Sequence, residues 1–227
     1  GDVYKRQVYS YKNSSKLISF YGRVNYTLMD KYMLTATVRR DGSSRFGADH
    51  KWGTFPSVSA AWRIINEKFM ESTRSWLDNL KLRVGFGVTG NQNGVDPYKS
   101  LSVLSSAGAA YYDPATGTWK NSYVQSQNAN PDLKWESTSQ WNLGIDFGFL
   151  NCINGTLEFY HKKTSDLLWT YPVPQPPYLV GTMLANVGDM VNKGVELSLG
   201  ANIIRTKDFS LSANASIAYN KQEITKL

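Results

Sequence analysis

The chain has a single cysteine, Cys152, and therefore encodes no internal disulfide. Its two histidines, His50 and His161, lie far apart and lack cysteine partners at metal-site spacing, so no metal ligand set is expected. No apolar run approaches the roughly 20 residues of a membrane helix, which excludes a helical membrane protein. Although the formal net charge is +7, no basic run is longer than Arg39-Arg40 or Lys162-Lys163. Cations dispersed in this way read as a solvated surface, and nucleic acid is not an expected partner.

Catalytic signatures are missing too. There is no Gly-x-Ser-x-Gly elbow, no His-Glu-x-x-His helix and no Ser-His-Asp set, and two histidines leave most general-base schemes without a candidate. Gly85-Phe-Gly-Val-Thr-Gly90 resembles a phosphate loop in composition only, since the Lys-Ser/Thr pair is lacking. Asp and Glu pairs read as solvated or turn residues. No enzyme and no cofactor is expected. The chain also has no initiator Met, no basic n-region and no apolar signal core, so it reads as an excerpt of a longer protein. Residues 1–7 join the later pattern poorly, and residues 1–15 are set apart as a leader, in part foreign to the native chain.

What is present is aromatic and alternating. Aromatic residues make up 13% of the chain, with 14 Tyr and 7 Trp. From Phe209 to Asn220, the apolar Phe209, Leu211, Ala213, Ala215, Ile217 and Tyr219 alternate with Ser210, Ser212, Asn214, Ser216 and Asn220. Period two is a strand with two different faces. About eight such segments follow one another, over residues 19–28, 32–40, 57–65, 79–89, 139–150, 155–163, 194–204 and 209–221. Their second faces carry Arg23, Arg39, Arg63, Arg83, Asp146, Glu158 and Glu196, with Lys81 and Lys162. That is too many ions for a dry core, so this face is expected to line water.

The connections alternate as well. Short turns at 29–31, 151–154 and 205–208 contrast with long stretches at 41–56, 90–138 and 164–193, and residues 66–78 suit a short interfacial helix. Systematic short-turn, long-loop alternation is the pattern of a transmembrane β-barrel, and strands of about 9 to 11 residues cross the hydrocarbon when tilted. Tyr26, Tyr32, Trp62, Phe149 and Tyr219 near strand ends suit an interfacial girdle. The expected fold is all-β: an antiparallel barrel segment over residues 16–227, incomplete, with two open sheet edges. A soluble all-β carbohydrate-binding module and a passive porin are the competing readings.

Five segments resemble a family, and they span nearly the whole chain. They are Arg40-Asp-Gly-Ser-Ser-Arg-Phe-Gly47, Phe55-Pro-Ser-Val-Ser-Ala-Ala-Trp-Arg63, Leu80-Lys-Leu-Arg-Val-Gly-Phe-Gly-Val-Thr-Gly-Asn-Gln92, Asn130-Pro-Asp-Leu-Lys-Trp-Glu136 and Asn192-Lys-Gly-Val-Glu196. In this order they are similar to the SusC/RagA-like TonB-dependent transporters. The resemblance implies a 22-stranded outer-membrane barrel of a Gram-negative bacterium. It further implies a plug domain, a TonB box and a signal peptide that this chain lacks, energising by TonB, and a SusD-like lipoprotein that lids the mouth and captures oligosaccharides or peptides. Contacts to substrate or partner are expected from the long loops, at Arg45, Trp52, Tyr98, Tyr111, Tyr112, Trp119, Tyr123 and Trp135. Tyr and Trp among Asn, Gln and Ser suit both sugar stacking and protein docking, and partner contact or internal packing of the loop is preferred to direct substrate contact. Cys152 is expected to be an incidental turn residue.

Overall fold

The computed structural model describes Ser10 and residues 12–227; the expected foreign heptapeptide 1–7 lies outside the described residues. Among the described residues twelve strands form in chain order: β1 (Leu17–Leu28), β2 (Tyr32–Ser43), β3 (Trp52–Arg63), β4 (Leu77–Asn91), β5 (Val103–Asp113), β6 (Thr118–Gln127), β7 (Glu136–Phe149), β8 (Ile153–Ser165), β9 (Leu168–Pro172), β10 (Thr182–Asn186), β11 (Asp189–Arg205) and β12 (Ser210–Lys226). Eight of them build one antiparallel sheet in the order β1-β2-β3-β4-β7-β8-β11-β12, and the other four make two separate hairpins, β5-β6 and β9-β10. The large sheet is open, with β1 and β12 at its edges.

Register carries one polarity across all eight strands. A transverse row running Trp62, Leu82, Ile145, Leu157, Leu197 and Ile217 is apolar throughout. The neighbouring row on the opposite face runs Ala61, Arg83, Gly144, Glu158, Glu196 and Ala218. Because side chains alternate at period two, a slip of one residue anywhere would invert every later strand. Among the described residues nothing packs over the apolar face: Phe20, Val24, Val38, Ile217 and Tyr219 are each more than half exposed. A soluble module would bury such a face, so lipid is its solvent.

Two turns close on positive-φ pairs, Met29-Asp30 and Leu150-Asn151, the type I′ geometry that matches strand twist. Lys31 N–H donates to Leu28 O at 3.0 Å, and Cys152 N–H to Phe149 O at 3.1 Å. The β7–β8 turn therefore sits one residue earlier than the sequence suggested, with Ile153 already in β8. Between β3 and β4 the expected short helix is two 3-10 turns, Ile64–Asn66 and Lys68–Thr73. Glu67 between them accepts from Tyr32 Oη (2.6 Å), Lys31 Nζ (2.9 Å) and Trp62 Nε1 (3.1 Å). Those bonds, Tyr32 first and then Lys31 and Trp62, lower its pKa from the ordinary 4.5 to about 2.

At the opposite end the long connections differ from the expectation of irregular loops, because two of them contain the hairpins. Alternation does not mark them. The β5-β6 register shifts between Val103 and Leu104, Ser106 and Gly108, and Ala109 and Tyr111, so no clean period two survives. β9 and β10 are five residues each, too short to declare a period. Strands of the large sheet also run past their predicted limits into the loop end, as β3 does in starting at Trp52 rather than at residue 57.

Candidate functional site: a luminal wall under a packed crown

On the polar face, Arg83 of β4 lies across β7 to reach two carboxylates. Its Nε and Nη2 meet Asp146 Oδ2 and Oδ1 at 2.9 Å each, and Nη2 also meets Glu158 Oε1 at 2.7 Å. The crossing depends on Gly144, the β7 residue between them in the row: a Cβ there would stand 2.8 Å from Arg83 Nη2. Thr156 donates to Asp146 Oδ1 at 3.2 Å, and Lys81 Nζ lies 3.8 Å from Oδ2. One guanidinium thus bridges three strands, an arrangement suited to its planar fork.

Below this network is a polar recess of about 710 Å³, floored by Arg63, Asn79, Lys81, Asp146, Thr156 and Asn214 among others. Elsewhere on the same face Arg23 donates to Thr37 Oγ1 at 3.1 Å, and Arg39 pairs with Asp41 at 2.8 Å and reaches Ser19 Oγ at 3.4 Å. Glu196 is exposed and faces Glu158 directly in register. Of the seven predicted luminal residues, then, Arg83, Asp146 and Glu158 converge, Glu196 flanks them, Arg63 lines the recess, and Arg23 and Arg39 form a separate array on β1 and β2. The wall presents fixed hydrogen-bonding groups.

At the loop end, Phe46, Phe55, Val95, Leu133 and Trp135 close a dry cluster, with Val88, Leu168 and Leu184 against it. β3 pairs with β4 only from Ser57 to Arg63, so this cluster gathers where the two strands have parted. Trp135 lies 4.8 Å from the Phe46 ring and 5.5 Å edge-on from Phe55, and its Nε1 donates to Lys51 O at 3.1 Å. Gly47 makes the close approach possible, since a Cβ there would fall on Pro131 O. Asparagines tie the remaining backbone: Asn130 Nδ2 donates to Leu184 O, Asn128 Nδ2 to Thr182 O, and Asn186 both donates to Lys134 O and accepts from Lys134 N. Four of the five motif segments meet in this crown. Sequence reasoning allowed for internal packing of the loop aromatics without singling out these segments, although an Asn-Pro-Asp turn beside Trp is the visible signal.

The predicted loop contacts divide accordingly. Trp135 is buried at the centre of the crown, so it takes the packing role rather than that of an exposed contact. Trp52 is corrected in place. It belongs to β3 on the apolar face, where it stacks on Phe20 at 6.3 Å under Arg40 and covers Gly42. Arg45 is engaged inside the crown, with Nη1 on Val95 O at 2.9 Å. Tyr98 is half-exposed, in a turn whose carbonyl accepts from Gln127. Tyr111, Tyr112, Trp119 and Tyr123 stand exposed on the β5-β6 hairpin, with Tyr112 and Trp119 edge-to-face at 5.6 Å.

An open antiparallel sheet with lipid on one face, a charged wall on the other and its long connections gathered at one end is a segment of an outer-membrane β-barrel. The family model described as "TonB dependent receptor-like, beta-barrel" matches residues 1–226, and the chain belongs to that family of outer-membrane proteins. Among curated relatives, it is 41% identical to TonB-dependent receptor SusC of Bacteroides thetaiotaomicron and 37% identical to TonB-dependent receptor P3 of Formosa agariphila, in each case over all of this chain and 22% of the relative. The RagAB peptide importer in its open-open state is similar at 34% identity and a TM-score of 0.84, covering 94% of this chain and 22% of that one. The chain thus spans about a fifth of the length of these relatives.

Proposed function

We propose that this segment is part of the barrel wall and extracellular crown of a TonB-driven importer that takes up oligosaccharides or peptides with a SusD-like surface lipoprotein. The observation that supports this reading is the two-faced register, continuous across the sheet between shifts confined to strand ends, which puts a charged, amide-rich wall behind a lipid-facing skin. Arg23, Arg39, Arg63, Arg83, Asp146, Glu158 and Glu196 line the passage. Tyr98 and the exposed hairpin aromatics Tyr111, Tyr112, Trp119 and Tyr123 meet the lipoprotein or the incoming substrate, with Tyr and Trp acting as anchors. Arg45, Trp52 and Trp135 support the crown and the membrane boundary instead.

The full-length receptor with its lipoprotein provides the test. Alanine at Tyr112, Trp119 and Tyr123 together is expected to weaken co-purification of the lipoprotein or substrate-dependent growth by at least tenfold, while the receptor still assembles in the outer membrane. Unchanged association and growth would remove the hairpin from both roles. Uptake that persists without TonB would support a passive pore instead.

A further inference from the structure

We propose that the apolar face carries a site for one phosphorylated lipid of the outer leaflet, of the lipid A type, built where β7, β8, β11 and β12 reach the outer membrane boundary. Register places Trp141, His161, Lys193 and Lys221 in one row across those strands, all exposed and all on the lipid side. The next row towards the turns is Leu143, Phe159, Val195 and Tyr219. Together the two rows line a groove of about 710 Å³ with an almost wholly apolar floor and a cationic upper lip.

Height on the barrel identifies the leaflet. Trp141 lies eight residues along β7 from Phe149 at the short-turn end, about 20 Å once strand rise and tilt are included, against a hydrocarbon band of about 25 Å. The lip therefore stands at the outer boundary, where lysines extend their stems towards headgroups. Charge points to an anion. Lys193 sits directly between His161 and Lys221 in register, and its ammonium and that of Lys221, opposite one another, repel. Glu223, in the adjacent row on the same face, meets Lys221 at 2.5 Å and is the one carboxylate that a bound anion would face; the nearby Lys163 meets Asp189 at 3.2 Å. Lys193 has no carboxylate within ion-pair distance among the described residues. A phosphate accepting from Lys193, His161 and Lys221, with acyl chains along Phe159, Leu143 and Val195, neutralises the row and fills the groove. Arg40 over Trp52, at 5.6 Å on β2 and β3, repeats the pairing of cation and aromatic on the same face.

The test uses the full-length receptor in detergent, with lipid retention read by native mass spectrometry. Bisphosphorylated lipid A is expected to bind as a single tight adduct, and Lys193→Gln and Lys221→Gln to weaken it by about fivefold each. Lys193→Arg keeps the charge and is expected to retain the adduct, which separates loss of charge from loss of fold. Trp141→Ala is expected to weaken binding without abolishing the preference for phosphate. Equal retention of dephosphorylated lipid A would reduce the site to an apolar groove and overturn the proposal. So would equal occupancy by inorganic phosphate alone, or affinity unchanged in both lysine variants.

Discussion

In the crown, Phe46, Phe55, Leu133 and Trp135 shut out water as the core of a small soluble domain does, whereas in the eight-stranded wall Phe20, Val24, Ile217 and their row-mates turn outward with no protein over them. The crown is held by side chains that interlock, many of them brought together from distant parts of the chain. The wall is held by its backbone ladder and by the difference between its two solvents. A wall residue is therefore judged by which face it occupies, and a crown residue by what it touches.

The largest effect that would sharpen this contrast is expected at Trp135. Truncation to Ala empties the centre of the cluster and costs about 3–5 kcal/mol of local stability. Limited proteolysis of the intact receptor is expected to cut residues 92–135 and 166–188 readily while the strands of the wall stay protected; cleavage confined to one of the two loops would show that the crown is not one packed unit. A smaller effect comes from a pair of neighbours in β12. Ile217→Arg puts a charge on the lipid face, at a cost of about 2–4 kcal/mol near the midplane, while Ser216→Arg on the wall is expected to be nearly neutral. Comparing folded barrel yields in membranes would break the two-faced assignment if the two variants behaved alike.

Arg83→Gln comes next. It strips Glu158 of its cation while Glu196 remains opposite, and leaves Asp146 to Lys81 and Thr156. All three side chains of the network are partly exposed, so the stability change is expected at about 1 kcal/mol or less, with the larger readout in ion selectivity of the opened pore. Gly144→Val is expected to give the same selectivity shift by blocking the path of the guanidinium; a normal selectivity would mean that the bridge does not span β7. The smallest effect is at the short-turn end. Glu67 has a folded pKa near 2, below its ordinary 4.5, so its contribution is complete above pH 4.5 and is lost as the pH falls from 4.5 towards 2. Glu67→Gln is expected to lower stability by a constant amount above pH 4.5 and to flatten the acid dependence between pH 4.5 and 2, read by acid unfolding of the two proteins.

The wall was legible because lipid and water on opposite faces write a period of two into every strand, and Arg83, Asp146 and Glu158 fell on the wet side by parity alone. Parity does not say which of them touch. The Arg83 bridge needed the bare Gly144 between two strands and the alignment of residues 63 and 75 positions apart. The crown was less legible. Trp135 reads like any loop aromatic until Phe46, Phe55 and Lys51 are brought to it, the last from 84 positions away. The β5-β6 hairpin escaped because its bulges break the alternation that marked every strand of the wall.

The sequence by itself determined the two-faced strands, their order and the end of the barrel that carries the long connections, since each of these follows from local alternation and turn chemistry. Only the tertiary structure decided that Trp135 packs a core, that Trp52 belongs to the lipid boundary, and that His161, Lys193 and Lys221 share a row. Those facts depend on which residues stand opposite one another across strands, and register is a property of the assembled sheet that no single segment contains.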